Sequence, residues 1–232
     1  MKTIGVLGGM SWESTQAYYR ALNEGVNARL GGLHSARIIL NSVDFHEIEQ
    51  CQQSGQWDRT ADILIDAARS LEAAGADFLL LATNTMHKVA PQLQAASDLP
   101  LIHIADCTAE RLCEDGIRRV GLLGTRFTMS EAFYRERMQS HFGLDVLVPD
   151  AADQNEIHRV IYEELCLGKL VDSSREHYLA AIDRLHARGA EAVILGCTEI
   201  GLLVSQQDTT VPLFDTTALH AQKAVELALE TK

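Results

Sequence analysis

Arg188-Gly189-Ala190-Glu191-Ala192-Val193-Ile194-Leu195-Gly196-Cys197-Thr198-Glu199-Ile200 is the stretch whose reading decides the fold. Arg184 and Arg188 give a basic last helical turn, and Gly189 supplies the stop that follows it. Ala192 to Leu195 is too short and too apolar for a surface helix, so it reads as a parallel strand covered on both faces. Cys197 then falls just outside the carboxyl end of that strand, where open α/β sheets bind ligands.

Working outward, the same grammar recurs. Thr3 to Leu7 is a short apolar run ending in Gly8-Gly9-Met10-Ser11, followed by a helical pattern from Glu13 to Arg29. Ala36 to Val43 and Ala76 to Leu81 read as strands. Asp44 opens a helix through Gln52, and an amphipathic helix covers Thr60 to Ala74. A helix follows Ala82-Thr83-Asn84-Thr85-Met86-His87-Lys88 and runs through Ala96. Pro100 starts a strand over Leu101 to Ile104, with Asp106 at its end. A second series begins at Val120: strands over Val120 to Leu123 and Leu144 to Val148, and helices over Ser130 to His141, Asn155 to Leu167 and Ser173 to Arg188. Val211 to Phe214 is a last strand and Thr216 to Leu229 a closing helix.

The two series are one series repeated. Ile4-Gly5-Val6-Leu7-Gly8 matches Val120-Gly121-Leu122-Leu123-Gly124 at a separation of 116, and Tyr18-Tyr19-Arg20 matches Phe133-Tyr134-Arg135 at 115. Gly75-Ala76 matches Gly189-Ala190 and Thr83 matches Cys197, both at 114, while Leu99-Pro100-Leu101 matches Val211-Pro212-Leu213 at 112. Such landmarks predict two similar parallel-sheet α/β domains related by an internal pseudo-two-fold repeat. The expected boundaries are 1–106 plus 210–232 for the first domain and 107–209 for the second. Tyr18, Tyr19, Phe133 and Tyr134 are expected in the core.

Composition removes whole classes of function. A net charge of -12 over 232 residues argues against a sequence-independent nucleic-acid binder, which needs a basic face. No apolar run approaches the roughly 18 residues of a membrane span, so no membrane partner is expected. Five cysteines, an odd number without a CxxC pair, read as free thiols in a reducing compartment, and no leader segment is read before Ile4; the expected location is the cytoplasm. Cys51, Cys107 and Cys113 read as buried or semi-buried thiols. No zinc signature and no cofactor motif occur, and Gly5-x-x-Gly8-Gly9 is not a dinucleotide fingerprint. The Gly8-Gly9-Met10 turn has two readings: tight helix-strand packing, or backbone N–H groups that also hold a substrate carboxylate.

At Asn84-Thr85 and Gly196-Cys197-Thr198-Glu199, with Ile4-Gly-x-x-Gly-Gly-Met10 and Pro212-Leu-Phe-Asp215, the chain resembles the aspartate/glutamate racemase family, its aspartate-racemase-like branch in particular. The resemblance covers both halves. It implies a cleft site between two α/β domains, a homodimer, and cofactor-independent racemisation of acidic or related amino acids. In that family one cysteine thiolate removes the α-proton and the opposite thiol returns one. A thiolate is reachable near neutral pH when donors favour it, and the substrate carboxylate must be held by groups that stabilise developing charge. The backbone N–H groups and side chains of Asn84, Thr85 and Thr198 are the candidates for that task, and Met10, Gln52 and Glu199 are the other expected substrate-binding residues. Glu199 stands where the glutamate-racemase branch has a histidine. It either orients Thr198 or the substrate amino group, or caps the following turn.

The sequence departs from the family at two points. Thr83 replaces the first cysteine, and a threonine hydroxyl is a poor base. The expectation is that Cys197 deprotonates an L-amino acid and Thr83 reprotonates it from the opposite face, with the D-enantiomer handicapped. The two cations that select aspartate are also missing: Gln52 and Cys166 occupy their places, and Lys169 or Arg37 are the alternative sources of charge. A broader substrate range is therefore expected. His87, one turn past Thr83, reads either as a group that tunes it or as a helix-surface histidine. Hydantoin racemisation, decarboxylation, maleate-type isomerisation and ligand binding with weak turnover are the competing functions.

Overall fold

The computed structural model describes residues 1–230, and the chain divides into two units. The first comprises Met1–His103 with the segment from His220 onward, and the second Ile104–Leu219.

The first unit carries β1 (Ile4–Gly8), α1 (Trp12–Leu30), β2 (Ile38–Ser42), α2 (Phe45–Gln53), α3 (Trp57–Ala73), β3 (Phe78–Leu81), a 3₁₀ segment (Thr85–Val89), α4 (Ala90–Ala96) and β4 (Leu101–Ile102). Its sheet is parallel throughout, in the order β2-β1-β3-β4. Helix α1 starts where Ser11 accepts a bond from the Ser14 amide, and it turns Tyr18, Leu22 and Val26 onto β1 and β3. The other sheet face is covered by α3 through Ala61, Leu64, Ala68 and Leu71. Full burial of each leucine contributes about 1.5–3 kcal/mol.

The second unit carries α5 (Ile104–Glu114), β5 (Arg119–Gly124), α6 (Arg126–Ser130), α7 (Ala132–Phe142), β6 (Asp145–Leu147), α8 (Ala151–Glu163), α9 (Asp172–Ala187), β7 (Ala192–Gly196), α10 (Ile200–Leu203) and β8 (Leu213–Asp215). The order β6-β5-β7-β8 copies the first sheet, again all parallel. The likeness extends to single side chains. Gln94 Oε1 accepts from the Leu101 amide at 3.0 Å, and Gln206 Oε1, 112 positions on, accepts from the Leu213 amide at 2.8 Å. The two parallel-sheet α/β units expected from the repeat are present.

Several expectations need correction. The strand expected over Leu101 to Ile104 ends at Ile102, and α5 begins at Ile104. The apolar residues Ile104, Ala105, Ala109 and Leu112 fall on one helical face, which packs on Tyr134 and Met138. The second unit runs to Leu219 rather than 209, because β8 pairs with β7 and Phe214 enters the second unit's core. Helix α11 (Thr216–Leu229) then returns to the first unit, placing Ala221, Ala224, Val225 and Ala228 on Ile4, Tyr18 and Phe78. The helix after each sheet's last strand thus belongs to the other unit. The helix expected over Ser130 to His141 breaks at Glu131. Tyr19 is 58% exposed, so the buried equivalents are Tyr18 and Tyr134, and the true separation there is 116. Among the described residues no helix is long and apolar enough to cross a membrane.

Candidate active site

The opening stretch folds as read. Helix α9 ends before Gly189, whose φ is 97°, and β7 runs from Ala192 to Gly196 with every residue buried. Gly196 is dictated by space: a Cβ there would meet Leu123 O at 2.7 Å and Leu122 Cδ1 at 2.6 Å. The strand can therefore lie against β5 to its last residue and deliver Cys197 just past it.

Cys197 sits in an apolar wall that includes Leu195, Ile200 and Tyr178, with 8% of its surface accessible. Its thiol donates to Glu199 Oε2 at 2.9 Å, and the Thr198 hydroxyl donates to the same oxygen at 2.8 Å. The Cys166 thiol donates to Glu199 Oε1 at 3.7 Å. Glu199 is itself only 1% exposed. It precedes the single-turn α10 but makes no side-chain cap there, so capping is not its task. Its carboxylate is turned back onto the thiol.

Burial, then the Glu199 charge, then Cys166, push the Cys197 thiol well above its ordinary range. Cys197 at rest is thus a protonated thiol whose proton faces a carboxylate. A proton passed from the thiol to Glu199 would leave the pair's net charge unchanged. Of the expected tasks for Glu199, the contact with Thr198 is present, and the Cys197 thiol shares the same carboxylate oxygen.

In the first unit, Thr83 lies two residues past β3, also buried, and its amide donates to Leu81 O at 2.8 Å. Asn84 and Thr85 are buried beside it, and Thr85 opens the 3₁₀ segment. His87 is 2% exposed rather than on the surface, and its Nδ1 donates to the Thr83 carbonyl at 2.7 Å. Met10 is a core residue packed with Leu7 and Ile48, and the Gly9 amide donates to Thr15 Oγ1 at 2.8 Å. That favours the tight-turn reading for Gly9.

Neither expected cation position carries a charge. The buried Gln52 amide donates to Met86 Sδ at 3.1 Å, and Cys166 faces Glu199. Lys169 and Arg37 are exposed. Gln52 and Met10 belong to the first unit, as Thr83 does, and Thr198, Glu199 and Cys166 to the second.

The model of the Asp/Glu/hydantoin racemase family matches residues 7–224. The chain belongs to that family. It is therefore an isomerase of the amino-acid racemase class. A crystal structure of a Yersinia pestis protein assigned as an Asp/Glu racemase is 54% identical, covers 99% of this chain and 100% of its own, and superposes with a TM-score of 0.91. An aspartate racemase homologue from Pyrococcus horikoshii OT3 is 37% identical over 99% of this chain and 100% of its own, with a TM-score of 0.85. The broad specificity amino-acid racemase RacX of Bacillus subtilis strain 168 is 25% identical over 97% of this chain and 98% of its own length. The racemase of known breadth is thus alike along its whole length, and the two crystal structures share the fold of both units.

Proposed function

We propose that this racemase works without a cofactor on a set of amino acids wider than aspartate and glutamate. In this reading Cys197 removes the α-proton of the L-enantiomer and Thr83 returns one on the opposite face. The observation that carries it is the Cys197–Glu199 contact of 2.9 Å at a strand end. Glu199 takes the thiol proton, the thiolate takes the α-proton, and the electron pair stays on the α-carbon. Thr83, the repeat equivalent of Cys197, has no carboxylate at the corresponding place, where Thr85 stands instead of Glu199. A proton donor, not a base, suits that side. Uncharged Gln52 and Cys166 support the wider range, as does the breadth of RacX.

Free enantiomers have equal free energies, so kcat/KM is equal in the two directions whatever the machinery. The asymmetry belongs to hydrogen exchange instead. In D2O the L-amino acid should acquire α-deuterium faster than it inverts, while the D-amino acid should exchange no faster than it inverts. Incubation of a panel of amino acids of both hands, read by chiral chromatography and mass spectrometry, tests this. Equal exchange from L and D would refute the assignment, and full activity in Cys197→Ser would refute the site.

The raised Cys197 thiol favours one second reading, since a protonated thiol also delivers a proton to a carbanion left by loss of carbon dioxide. Carbon dioxide release from α-substituted malonates, with no exchange of amino acids, would select it.

A further inference from the structure

Beside Thr83 in the first unit lie four side chains that this scheme leaves unused. The His87 ring is 4.5 Å from that of His103 and 5.9 Å from that of His220, centroid to centroid. The Tyr18 hydroxyl donates to His220 Nδ1 at 2.8 Å, and His220 Nε2 donates to the Ile102 carbonyl at 2.9 Å. Two imidazoles therefore hold two main-chain carbonyls: His87 that of Thr83, and His220 that of Ile102. Those carbonyls stand at the ends of β3 and β4, which are neighbours in the sheet through the Leu80–Ile102 pair.

The second unit is built differently at the same places. The Cys197 carbonyl accepts from a backbone amide, that of Ile200 at 3.1 Å. The position 114 beyond His87 is Gly201, and a Cβ there would lie 2.7 Å from Asp215 Oδ2. Asp215 in turn is 112 beyond His103. Where the second unit has a glycine under a carboxylate, the first has two imidazole rings in contact with their planes inclined at 57°. The Cys197 carbonyl is held by a backbone amide, whereas the Thr83 carbonyl is held by a side chain.

We propose that His87 is a positioning residue for Thr83, holding the threonine's carbonyl and so aiming its hydroxyl at the carbanion. This rests on the racemase reading above. The role requires a hydrogen on Nδ1, and the bond to a carbonyl keeps it there. When the carbanion is quenched, the Thr83 O–H bond breaks and the new α-carbon–hydrogen bond forms. The threonine oxygen regains its proton from water, and the proton collected by the Cys197–Glu199 pair returns to water, so the count closes. His87 itself exchanges no proton in this step.

The test uses His87→Leu, His87→Asn and His87→Gln in the whole enzyme, in D2O, with L-glutamate and L-aspartate. The asparagine amide nitrogen stands where Nδ1 stands, whereas the glutamine nitrogen reaches only to the place of Nε2. Inversion should fall about tenfold or more in the leucine variant, the scale of a misplaced reacting group, while α-deuterium uptake into the L-amino acid stays within about twofold. Asparagine should restore inversion to within about threefold and glutamine should not. Loss of exchange and inversion in step, with the fold intact by circular dichroism, would overturn the proposal, as would unchanged inversion. Should the leucine variant fail to fold, asparagine and glutamine decide: a difference between them supports the role and identical behaviour overturns it. Absence of exchange from any L-amino acid in the unaltered enzyme would instead remove the racemase reading beneath it.

Discussion

The Cys197 thiol lies 2.9 Å from the Glu199 carboxylate, and both groups are buried. This contact works in two directions. In the proposed mechanism the carboxylate accepts the thiol proton, yet its charge is the second-largest reason, after burial, that the thiol holds that proton. Glu199→Gln separates the two effects. At neutral pH the variant should lose about 10²–10⁴-fold in kcat/KM for the L-enantiomer, the range for a removed proton acceptor. With the opposing charge gone, the thiol ionises at lower pH than in the unaltered enzyme. The variant should therefore regain rate as pH is raised, along one ionisation limb. A pH–rate profile that stays flat would show that Glu199 is not the acceptor.

Replacing Thr83 by cysteine should place a group able to ionise at both strand ends. Deuterium uptake from the D-enantiomer should rise toward that from the L-enantiomer, and inversion should accelerate in both directions equally. Proton NMR of the α-hydrogen signal in D2O, started separately from each enantiomer, measures it. Slower exchange from D in Thr83→Cys than in the unaltered enzyme would contradict the assignment.

His220 is fully buried and neutral, with burial, followed by the His87 charge, lowering its pKa to about 3. The unfolded chain takes up that proton near pH 6.5 and the folded chain does not. The folded state binds fewer protons between those values, so stability is present above about pH 6.5 and falls as pH drops toward 3. The slope from this one group is about 1.4 kcal/mol per pH unit at most. Urea denaturation at a series of pH values should show the decline, and His220→Gln should show a shallower one.

Gly196→Ala adds one carbon against Leu123 O, a backbone atom that cannot step aside. Strain of this kind costs about 1–3 kcal/mol. Because the clash sits at the end of β7, activity should suffer beyond the loss of folded protein. Chemical denaturation beside a specific-activity measurement checks both parts.

Local chemistry in the chain announces much of this molecule. Apolar runs of four or five residues between helix stops mark β1, β3, β5 and β7, since a parallel strand buried on both faces needs no alternation. The repeat is visible because glycines such as Gly5 and Gly121 are demanded by close packing in both sheets. What failed locally was β4, where two residues of pairing are too few to outweigh the helical face that follows from Ile104. Tyr18 and Tyr19 are indistinguishable by type. Only the direction of α1 over the sheet buries one and exposes the other.

By itself the sequence determines two α/β units of one topology, a thiol past the end of β7 and a threonine in the matching place. These follow from periodicity, glycine and spacing, which act over a few residues. Tertiary structure alone decides that Glu199 turns onto Cys197 instead of capping α10, that His87 is buried against Thr83, and that α5 and α11 each pack in the unit they do not follow. Each of those choices is settled by competition for buried partners, in which a carboxylate or an imidazole goes where its hydrogen bonds are satisfied.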